Sequence, residues 1–374
     1  MKDLNFSHSI APKKVIRGFN SWDQGKKNIS SICHKPLLLG RSKETLGTRM
    51  SLFNDLKLEK IEPLWDELLH DCCEEDLQRL QHQATITALD GVIAVGGGKV
   101  LDAGKLIADR LNLPCITVPL SASTCAGWTA LANVYSSTGA FDHDVVLDRC
   151  PDLLIFDHQF VQQAPIRTLA SGIADALAKW YEASISSGSS TDGLIQQAVQ
   201  MARVLRDQLL IDAKEAIQNP NSSAWVRVAE GCALTAGMIG GIGGARCRTV
   251  AAHAVHNGLT HLQSCRNMLH GEKVGFGILV QLRLEETIGG NQLADQAKRQ
   301  LIPLMKDLNL PISLNDLGLA GAAISELKTV CDFACREGSD LHHLPFKVSS
   351  ENLLKAMVTA SEELPISASN STAI

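Results

Sequence analysis

The chain has 374 residues, of which 45% are hydrophobic and 20% charged, and its formal net charge is −5. This length suits about two domains, and this composition supports a buried core and excludes an intrinsically disordered chain. The small negative charge, spread without long runs of one sign, argues against a nucleic-acid or anionic-membrane binder and favours a small-molecule substrate.

The cysteines and the apolar segments indicate the cellular compartment of the protein. The eleven cysteines include no CxxC pair, which is typical of reduced thiols in a core. The N-terminus lacks an apolar signal segment, and no stretch approaches 18 uncharged apolar residues. We therefore expect a cytoplasmic protein without a membrane span.

Taken in chain order, the first half alternates short apolar runs with helical patterns, and the second half is helical. The runs predicted as strands are Pro36–Gly40, Gly91–Gly98, Cys115–Pro119 and Leu153–Asp157. Such alternation predicts βαβ units and a parallel sheet. After Pro165, long segments with helical periodicity follow, and β-branched runs become rare. We predict an α/β domain over residues 1–163, an all-helical domain over 164–364 with the active site between them, and a disordered tail over 365–374.

A glycine-rich turn follows the second of these strands. Three consecutive glycines, Gly96 to Gly98, precede Lys99 and a helical pattern. Glycines let backbone N–H groups approach a pyrophosphate, and the helix N-terminus adds partial positive charge. Val100 stands where a P-loop needs a hydroxyl, which disfavours ATP hydrolysis. A tight packing turn is the alternative interpretation, and Asp102 could contact a ligand or only stabilise the helix dipole.

The second half offers a candidate metal site. Asp175 lies in an otherwise apolar helical segment, where a buried carboxylate needs a cation or a hydrogen-bond donor. His253 and His256 are spaced for one helical face, and His270 follows a polar loop. These donors suit a metal if they converge. Hydrogen-bonded core histidines are the alternative.

Four segments together carry a family resemblance: VGGGKVLDAGK, SGIADALAKWYEA, AAHAVHNGLT and LHGEKVGFGILVQL. They closely resemble the glycerol dehydrogenase branch of the iron-containing alcohol dehydrogenase superfamily, and the similarity runs from Pro12 to Glu363. The resemblance implies a Rossmann-like dinucleotide-binding domain, followed by an all-α metal-binding domain as in dehydroquinate synthase, and a homo-oligomer.

The resemblance also assigns roles to the candidate metal residues. It implies that Asp175, His253 and His270 bind the metal and that His256 lies beside the substrate. Iron-containing members carry a further histidine four residues after the aspartate, where this chain has Lys179. The expected metal is therefore Zn²⁺, with Fe²⁺ as the alternative.

The family's cofactor-binding positions match eleven residues here, counting one that departs from the family pattern. They are Gly97, Gly98, Lys99, Asp102, Leu120, Ser121, Ser123, Thr129, Leu131 and Tyr135, together with Arg41. Glycerol dehydrogenases typically have an aspartate near Arg41 that hydrogen-bonds the adenosine ribose. Because a base attracts a 2′-phosphate that an acid repels, we expect NADP(H) to be preferred over NAD(H). A solvated basic loop is the alternative.

A second departure concerns the substrate. The family's glycerol-contacting aspartate corresponds to Cys125 here, which removes an anionic acceptor for a polyol. Cys125, Lys179 and Arg248 instead resemble the hydroxycarboxylate dehydrogenase subgroup, in which the basic residues would hold a substrate carboxylate. The predicted function is reduction of 2-oxo acids by hydride transfer, with the proton coming from water or His256. The alternatives are a glycerol or polyol dehydrogenase, a lyase resembling dehydroquinate synthase, and a non-catalytic dinucleotide-binding protein.

Overall fold

The computed structural model describes residues 8–362, so the tail predicted at 365–374 lies outside the described residues. The strands are β1 (Val15–Gly18), β2 (Pro36–Gly40), β3 (Leu64–Glu67), β4 (Gly91–Gly96), β5 (Cys115–Pro119), β6 (Leu131–Tyr135), β7 (Phe141–Val146) and β8 (Leu153–Asp157). The helices of the first part are α1 (Ser21–Ile29), α2 (Leu46–Leu58), α3 (Glu74–Ile86) and α4 (Gly98–Arg110).

The rest of the described chain contains only helices and their connections. The helices are α5 (His158–Gln162), α6 (Ile166–Ser187), α7 (Gly193–Gln218), α8 (Ser223–Glu230), α9 (Ala236–Gly243), α10 (Ala251–Leu259), α11 (His270–Thr287), α12 (Leu293–Asp307), α13 (Ile324–Ala334) and α14 (Ser350–Val358). A π-helical turn, Gly231–Thr235, joins α8 to α9. Within the described residues no helix is long and apolar enough to cross a membrane.

Six strands form one parallel sheet in the order β1-β8-β5-β4-β2-β3, and β6 pairs with β7 in a separate antiparallel hairpin. The four inner strands β2, β4, β5 and β8 are buried along their whole length. Continuous apolar runs are expected where helices cover both faces of a parallel sheet. The sequence predicts these four strands correctly. It misses β1 and β3, which are four-residue edge strands with polar, partly exposed positions, and it also misses the hairpin of β6 and β7.

Side chains of the inner strands point alternately to the two faces of the sheet, and each face has its own core. The helices that cover these faces show to which side each strand connects. Leu38 packs on the face covered by α1 and α2, whereas Leu37 and Leu39 pack on the face covered by α3 and α4. The connection after β2 therefore leaves to one face, and the connection after the neighbouring strand β4 leaves to the other. Such a switch point opens a crevice at the carboxyl ends of the strands, where α/β proteins bind ligands.

The helical half has one continuous core, in which α6 packs against α7 and α11, and α10 packs against α11 and α13. The fold is therefore a parallel α/β part followed by a helical part, as predicted. The last strand ends at Asp157. A domain boundary at residue 163 stays a prediction.

Candidate active site

The glycine turn lies at the switch point between β2 and β4. Gly97 is extended between the end of β4 and the start of α4, as predicted. A Cβ atom on Gly98 would lie 2.9 Å from Oγ1 of Thr124, so a larger residue here would force Thr124 to shift. Among residues 8–362, no side chain caps the N-terminus of α4. Its first N–H groups are therefore available to an anion.

Two cations flank this turn and share one carboxylate. Arg41, directly after β2, and Lys99, at the start of α4, both form ion pairs with Asp71. The Lys99 ammonium also lies 4.9 Å from the ring centre of Tyr135. Burial alone would raise the pKa of Asp71, but Lys99 and Arg41 outweigh it and lower the pKa. Asp71 is therefore a buried anion placed between two predicted cofactor contacts.

Asp102 has protein partners inside the fold. Its carboxylate lies 3.0 Å from Nζ of Lys105 and accepts a hydrogen bond from the backbone N–H of Asn133 at 3.3 Å. Lys105 also donates to the carbonyl oxygens of Thr129 and Leu131. The pair thus fixes the segment entering β6 against α4, which is a structural role, while Asp102 still lines the cleft.

The predicted metal ligands converge across the cleft from the glycine turn. Asp175 on α6, His253 on α10 and His270 at the start of α11 offer donor atoms that all lie within 4.8 Å of one another. Oδ1 of Asp175 is 3.3 Å from Nε2 of His253 and 3.2 Å from Nε2 of His270. One carboxylate oxygen and two imidazole nitrogens fit a zinc-type ion with an open coordination position.

Glu182 supports this triad from behind. Its side chain is fully buried, and its carboxylate accepts hydrogen bonds from the backbone N–H groups of Val250 (2.6 Å) and His253 (3.0 Å). It also lies 2.6 Å from Nδ1 of His253. Burial alone would lower the pKa of His253, but Glu182 and Asp175 outweigh it and raise the pKa to about 9. Metal-ligating histidines commonly donate their second nitrogen to a carboxylate.

Close packing of α6 and α11 sets the position of His270. A Cβ atom on Gly271 would overlap the carbonyl oxygen of Ser171, and the Gly271 N–H donates to Oγ of Ser171 at 3.0 Å. Glu272 accepts a hydrogen bond from the Leu269 N–H at 2.7 Å and forms an ion pair with Arg167. The first turn of α11 is therefore fixed against α6, which brings His270 to Asp175.

The remaining predicted residues surround the triad. The ring centres of His256 and His270 are 4.2 Å apart, and Nδ1 of His256 lies 2.8 Å from the Asn257 side-chain oxygen. Lys179 lies one helical turn after Asp175 and donates to the Arg248 carbonyl oxygen at 3.4 Å. Burial alone would lower the pKa of Lys179, but Asp175 outweighs it and raises the pKa, so Lys179 is a buried cation. Burial raises the pKa of the Cys125 thiol, which is therefore neutral.

A single cleft of about 500 Å³ joins these features. Its lining includes all three metal-ligand candidates, the glycine turn, and Cys125, Lys179, Arg248 and His256. Arg41, Lys99, Asp102, Ser123, Thr129, Leu131 and Tyr135 also line it. Two predicted cofactor residues are not among the lining residues: Leu120 is buried in the sheet core, and Oγ of Ser121 lies 3.0 Å from Oγ of Ser123.

Sequence reasoning missed three residues that organise the site, namely Glu182, Asp71 and Lys105. Glu182 carried a signal, because it lies two turns after Asp175 on the same face of α6. Asp71 carried none, since it follows the unpredicted edge strand β3 and meets Arg41 only in the folded sheet.

Comparison with known proteins places the chain in a family. The model of the iron-containing alcohol dehydrogenase family matches residues 12–158. An oxidoreductase of Synechocystis sp., described as uncharacterized, is 54% identical over 94% of this chain and 91% of its own length. A glycerol dehydrogenase of Pseudomonas putida is 33% identical over 78% of this chain and 80% of its own length.

Two further matches extend this picture. Hydroxycarboxylate dehydrogenase A of Escherichia coli is 33% identical over 76% of this chain and 78% of its own length. The crystal structure of a probable glycerol dehydrogenase from Sinorhizobium meliloti superposes with a TM-score of 0.82 at 27% identity, covering 94% of this chain and 97% of that one. The protein is thus an oxidoreductase of the alcohol dehydrogenase type. The chain belongs to the iron-containing alcohol dehydrogenase family, as its motifs predict, and its relatives include glycerol dehydrogenases.

Proposed function

We propose that this oxidoreductase reduces 2-oxo acids to 2-hydroxy acids with NADP(H), at a divalent metal, most simply zinc, held by Asp175, His253 and His270. The observation that carries the proposal is that these three ligands and the open N-terminus of α4 face the same cleft. When bound, the metal would polarise the substrate carbonyl as a Lewis acid, and the dinucleotide would supply the hydride.

The charges around the triad favour an anionic substrate. Lys179 and Arg248 line the cleft beside Asp175, and Cys125 is neutral where the glycerol dehydrogenase pattern has an acid. Lys179 is 4% exposed, and the hydrogen bond that its ammonium donates within the described part of the chain is a long one, of 3.4 Å, to the Arg248 carbonyl oxygen. A substrate carboxylate held between Lys179 and Arg248 would pair with both cations.

His256 would serve the proton transfer. With Nδ1–H donated to the Asn257 side-chain oxygen, its Nε2 carries a lone pair, and the ring lies against His270. A proton would reach the product oxygen from water or through this ring.

Arg41 supports NADP(H) as the cofactor. It leaves β2 at the switch point, beside the glycine turn, where the adenosine ribose is expected in this type of sheet. A 2′-phosphate there would pair with its guanidinium. Arg41→Asp should therefore shift preference from NADPH toward NADH, and unchanged discrimination would remove this part of the proposal.

Glycerol or another polyol oxidised with NAD⁺ is the second candidate. It is favoured by the glycerol dehydrogenases among the relatives, including that of Pseudomonas putida. In that case the thiol of Cys125 would simply replace the family's acid beside the polyol.

The test is the loss of NADPH and NADH absorbance with zinc-loaded protein, using 2-oxoglutarate, 2-oxobutanoate and dihydroxyacetone side by side. NADPH-dependent turnover of the oxo acids alone is the expected result. Turnover of dihydroxyacetone with NADH would replace the proposal with the polyol alternative. His253→Ala and His270→Ala should each lose metal and activity together, and an active variant without metal would refute the ligand assignment.

A further inference from the structure

A second cluster of metal-ligating side chains lies where β3 connects to α3. His70, Cys73 and Asp76 each offer one donor atom, and the three atoms lie within 4.8 Å of one another. Cys73 and Asp76 are buried, whereas 39% of the His70 side chain is exposed. The described lining of the catalytic cleft contains none of the three. The cluster is therefore buried on the side of Cys73 and Asp76, open to solvent on the side of His70, and separate from the catalytic cleft.

The imidazole of His70 supplies an independent sign of a missing ligand. Its Nδ1 atom is shielded from solvent and has no hydrogen-bond partner within residues 8–362. Oδ2 of Asp76 lies 3.7 Å away, which is too far for a hydrogen bond. A shielded polar atom left without a partner destabilises the folded state. A cation between the two side chains would give this nitrogen a partner.

The carboxylate of Asp76 is held in place before any ion binds. Oδ2 accepts hydrogen bonds from the backbone N–H groups of Leu69 (2.8 Å) and His70 (2.7 Å), and Oδ1 lies 3.4 Å from Nε of Arg79. The Cys73 N–H donates to the Asp71 carbonyl oxygen at 2.8 Å, which fixes the thiol at the start of α3. Fixed donors reduce the entropy lost on binding an ion.

We propose that His70, Cys73 and Asp76 form a second divalent-metal site, with water as the fourth ligand on the exposed side. One nitrogen, one sulfur and one oxygen donor suit zinc and its analogues Co²⁺ and Cd²⁺, whereas Mg²⁺ and Ca²⁺ require mostly oxygen. On binding, the thiol of Cys73 releases its proton to solvent, so that thiolate and carboxylate balance the two charges of the ion.

Such an ion would act on the connection between β3 and α3. That connection, residues 68–73, contains Asp71, which forms ion pairs with Arg41 and Lys99. Because His70 lies within this connection and Asp76 lies in the first turn of α3, a shared ion would tie the connection to the helix. The site thus stabilises the ion-pair geometry beside the glycine turn without touching the reacting atoms.

The thiolate gives the site a spectroscopic signature that the catalytic triad lacks. The full-length protein is freed of metal with a chelator and titrated with Co²⁺ while its absorption spectrum is recorded. We expect a second bound equivalent and a near-ultraviolet thiolate-to-cobalt charge-transfer band. Cys73→Ser should abolish the band and leave the weaker visible bands of cobalt at the triad. Absence of the charge-transfer band from the wild-type protein would overturn the proposal.

Two further variants test whether the band comes from the proposed site. Cys335→Ser removes a different cysteine, which is partly exposed and follows α13, and should keep the band. His70→Ala replaces a partly exposed side chain and should weaken Co²⁺ binding at the thiolate site by at least ~10-fold. Even a residue that only hydrogen-bonds to a metal ligand contributes about 10- to 100-fold in affinity, so the loss of a ligand should cost no less. A band that survives Cys73→Ser, or that is unaffected by His70→Ala, would assign the thiolate elsewhere and refute the site. Because the readout is not turnover, it stands apart from the proposed activity.

Discussion

Nδ1 of His253 lies 2.6 Å from Oε2 of Glu182, and this contact turns Nε2 of His253 toward Asp175. The same carboxylate accepts hydrogen bonds from the backbone N–H groups of Val250 and His253. Glu182 therefore fixes both the start of α10 and the imidazole that α10 presents to the metal site.

Glu182→Gln tests this relationship. The amide keeps the side-chain volume but loses the negative charge that fixes the ring, so we expect metal affinity to fall by about 10- to 100-fold. The measurement is competitive chelator titration of the purified protein. Glu285→Gln, which alters another buried glutamate near the far end of α11, serves as the control and should leave affinity unchanged. Equal metal affinity in Glu182→Gln and the wild-type protein would refute the positioning role.

Asp71→Asn tests whether its carboxylate competes with the cofactor's phosphate. Because Asp71 pairs with both Arg41 and Lys99, neutralising it leaves two cations free for a 2′-phosphate. We expect adenosine 2′,5′-bisphosphate to bind roughly 5-fold more tightly, which corresponds to about 1 kcal/mol for a partly exposed ion pair. Calorimetric titration measures this change. Weaker binding would instead mean that Asp71 holds Arg41 in its productive position.

Gly271→Ala tests the close contact of α11 with α6. The added Cβ would overlap the Ser171 carbonyl oxygen, so α11 must shift. We expect a loss of about 1–3 kcal/mol in the free energy of unfolding, together with weaker metal binding because His270 moves. Denaturant unfolding and metal analysis measure the two effects. Gly193→Ala, at the start of α7 where a Cβ meets nothing within 4 Å, should leave both unchanged.

Lys179→Met tests recognition of the substrate carboxylate. Methionine retains most of the buried volume and removes the charge. A hydrogen bond between a charged group and the substrate carboxylate contributes about 1.5–3 kcal/mol, and this contribution would be lost. We expect KM for 2-oxo acids to rise by roughly 10- to 100-fold while KM for a neutral ketone changes little. Steady-state kinetics on both substrates, with metal content checked in parallel, give the answer. An equal rise for both substrates would assign Lys179 to the metal site rather than to the carboxylate.

Glu230→Gln tests an ion pair between the two halves of the fold. Glu230 on α8 pairs with Arg17 of β1 and lies 3.0 Å from Nε2 of His158. Burial opposes ionisation, but His158 and Arg17 outweigh it and lower the pKa of Glu230 below its ordinary 4.5. A lowered carboxylate pKa stabilises the fold above the unfolded-state pKa, and that stabilisation is lost as pH falls through the folded-state value.

The expected result for Glu230→Gln is a loss of about 1 kcal/mol at neutral pH that shrinks as the pH falls below about 4.5. Urea unfolding across that pH range measures the difference. Glu215→Gln, at an exposed glutamate of α7, should show no such trend. A difference between Glu230→Gln and the wild-type protein that grows on acidification would contradict the assignment.

The sequence by itself determined the inner strands, the glycine turn and the helical half, and it indicated the three candidate metal ligands. Buried strands of a parallel sheet are continuous apolar runs, so β2, β4, β5 and β8 could be predicted from local pattern alone. The family motifs indicated Asp175, His253 and His270, and the structure brings these three side chains together. Their assignment as metal ligands stays a prediction, because spacing alone left hydrogen-bonded core histidines as the alternative.

Only the tertiary structure decided what surrounds these residues. Edge strands carry short and partly polar patterns, so β1 and β3 gave no local signal, and Asp71 after β3 was missed with them. The pairing of Asp71 with Arg41 depends on two strands that are neighbours in the sheet but distant in sequence. Likewise Glu182 reaches His253 only because α6 and α10 pack together. Side-chain partners from separate elements are set by packing, which no local pattern encodes.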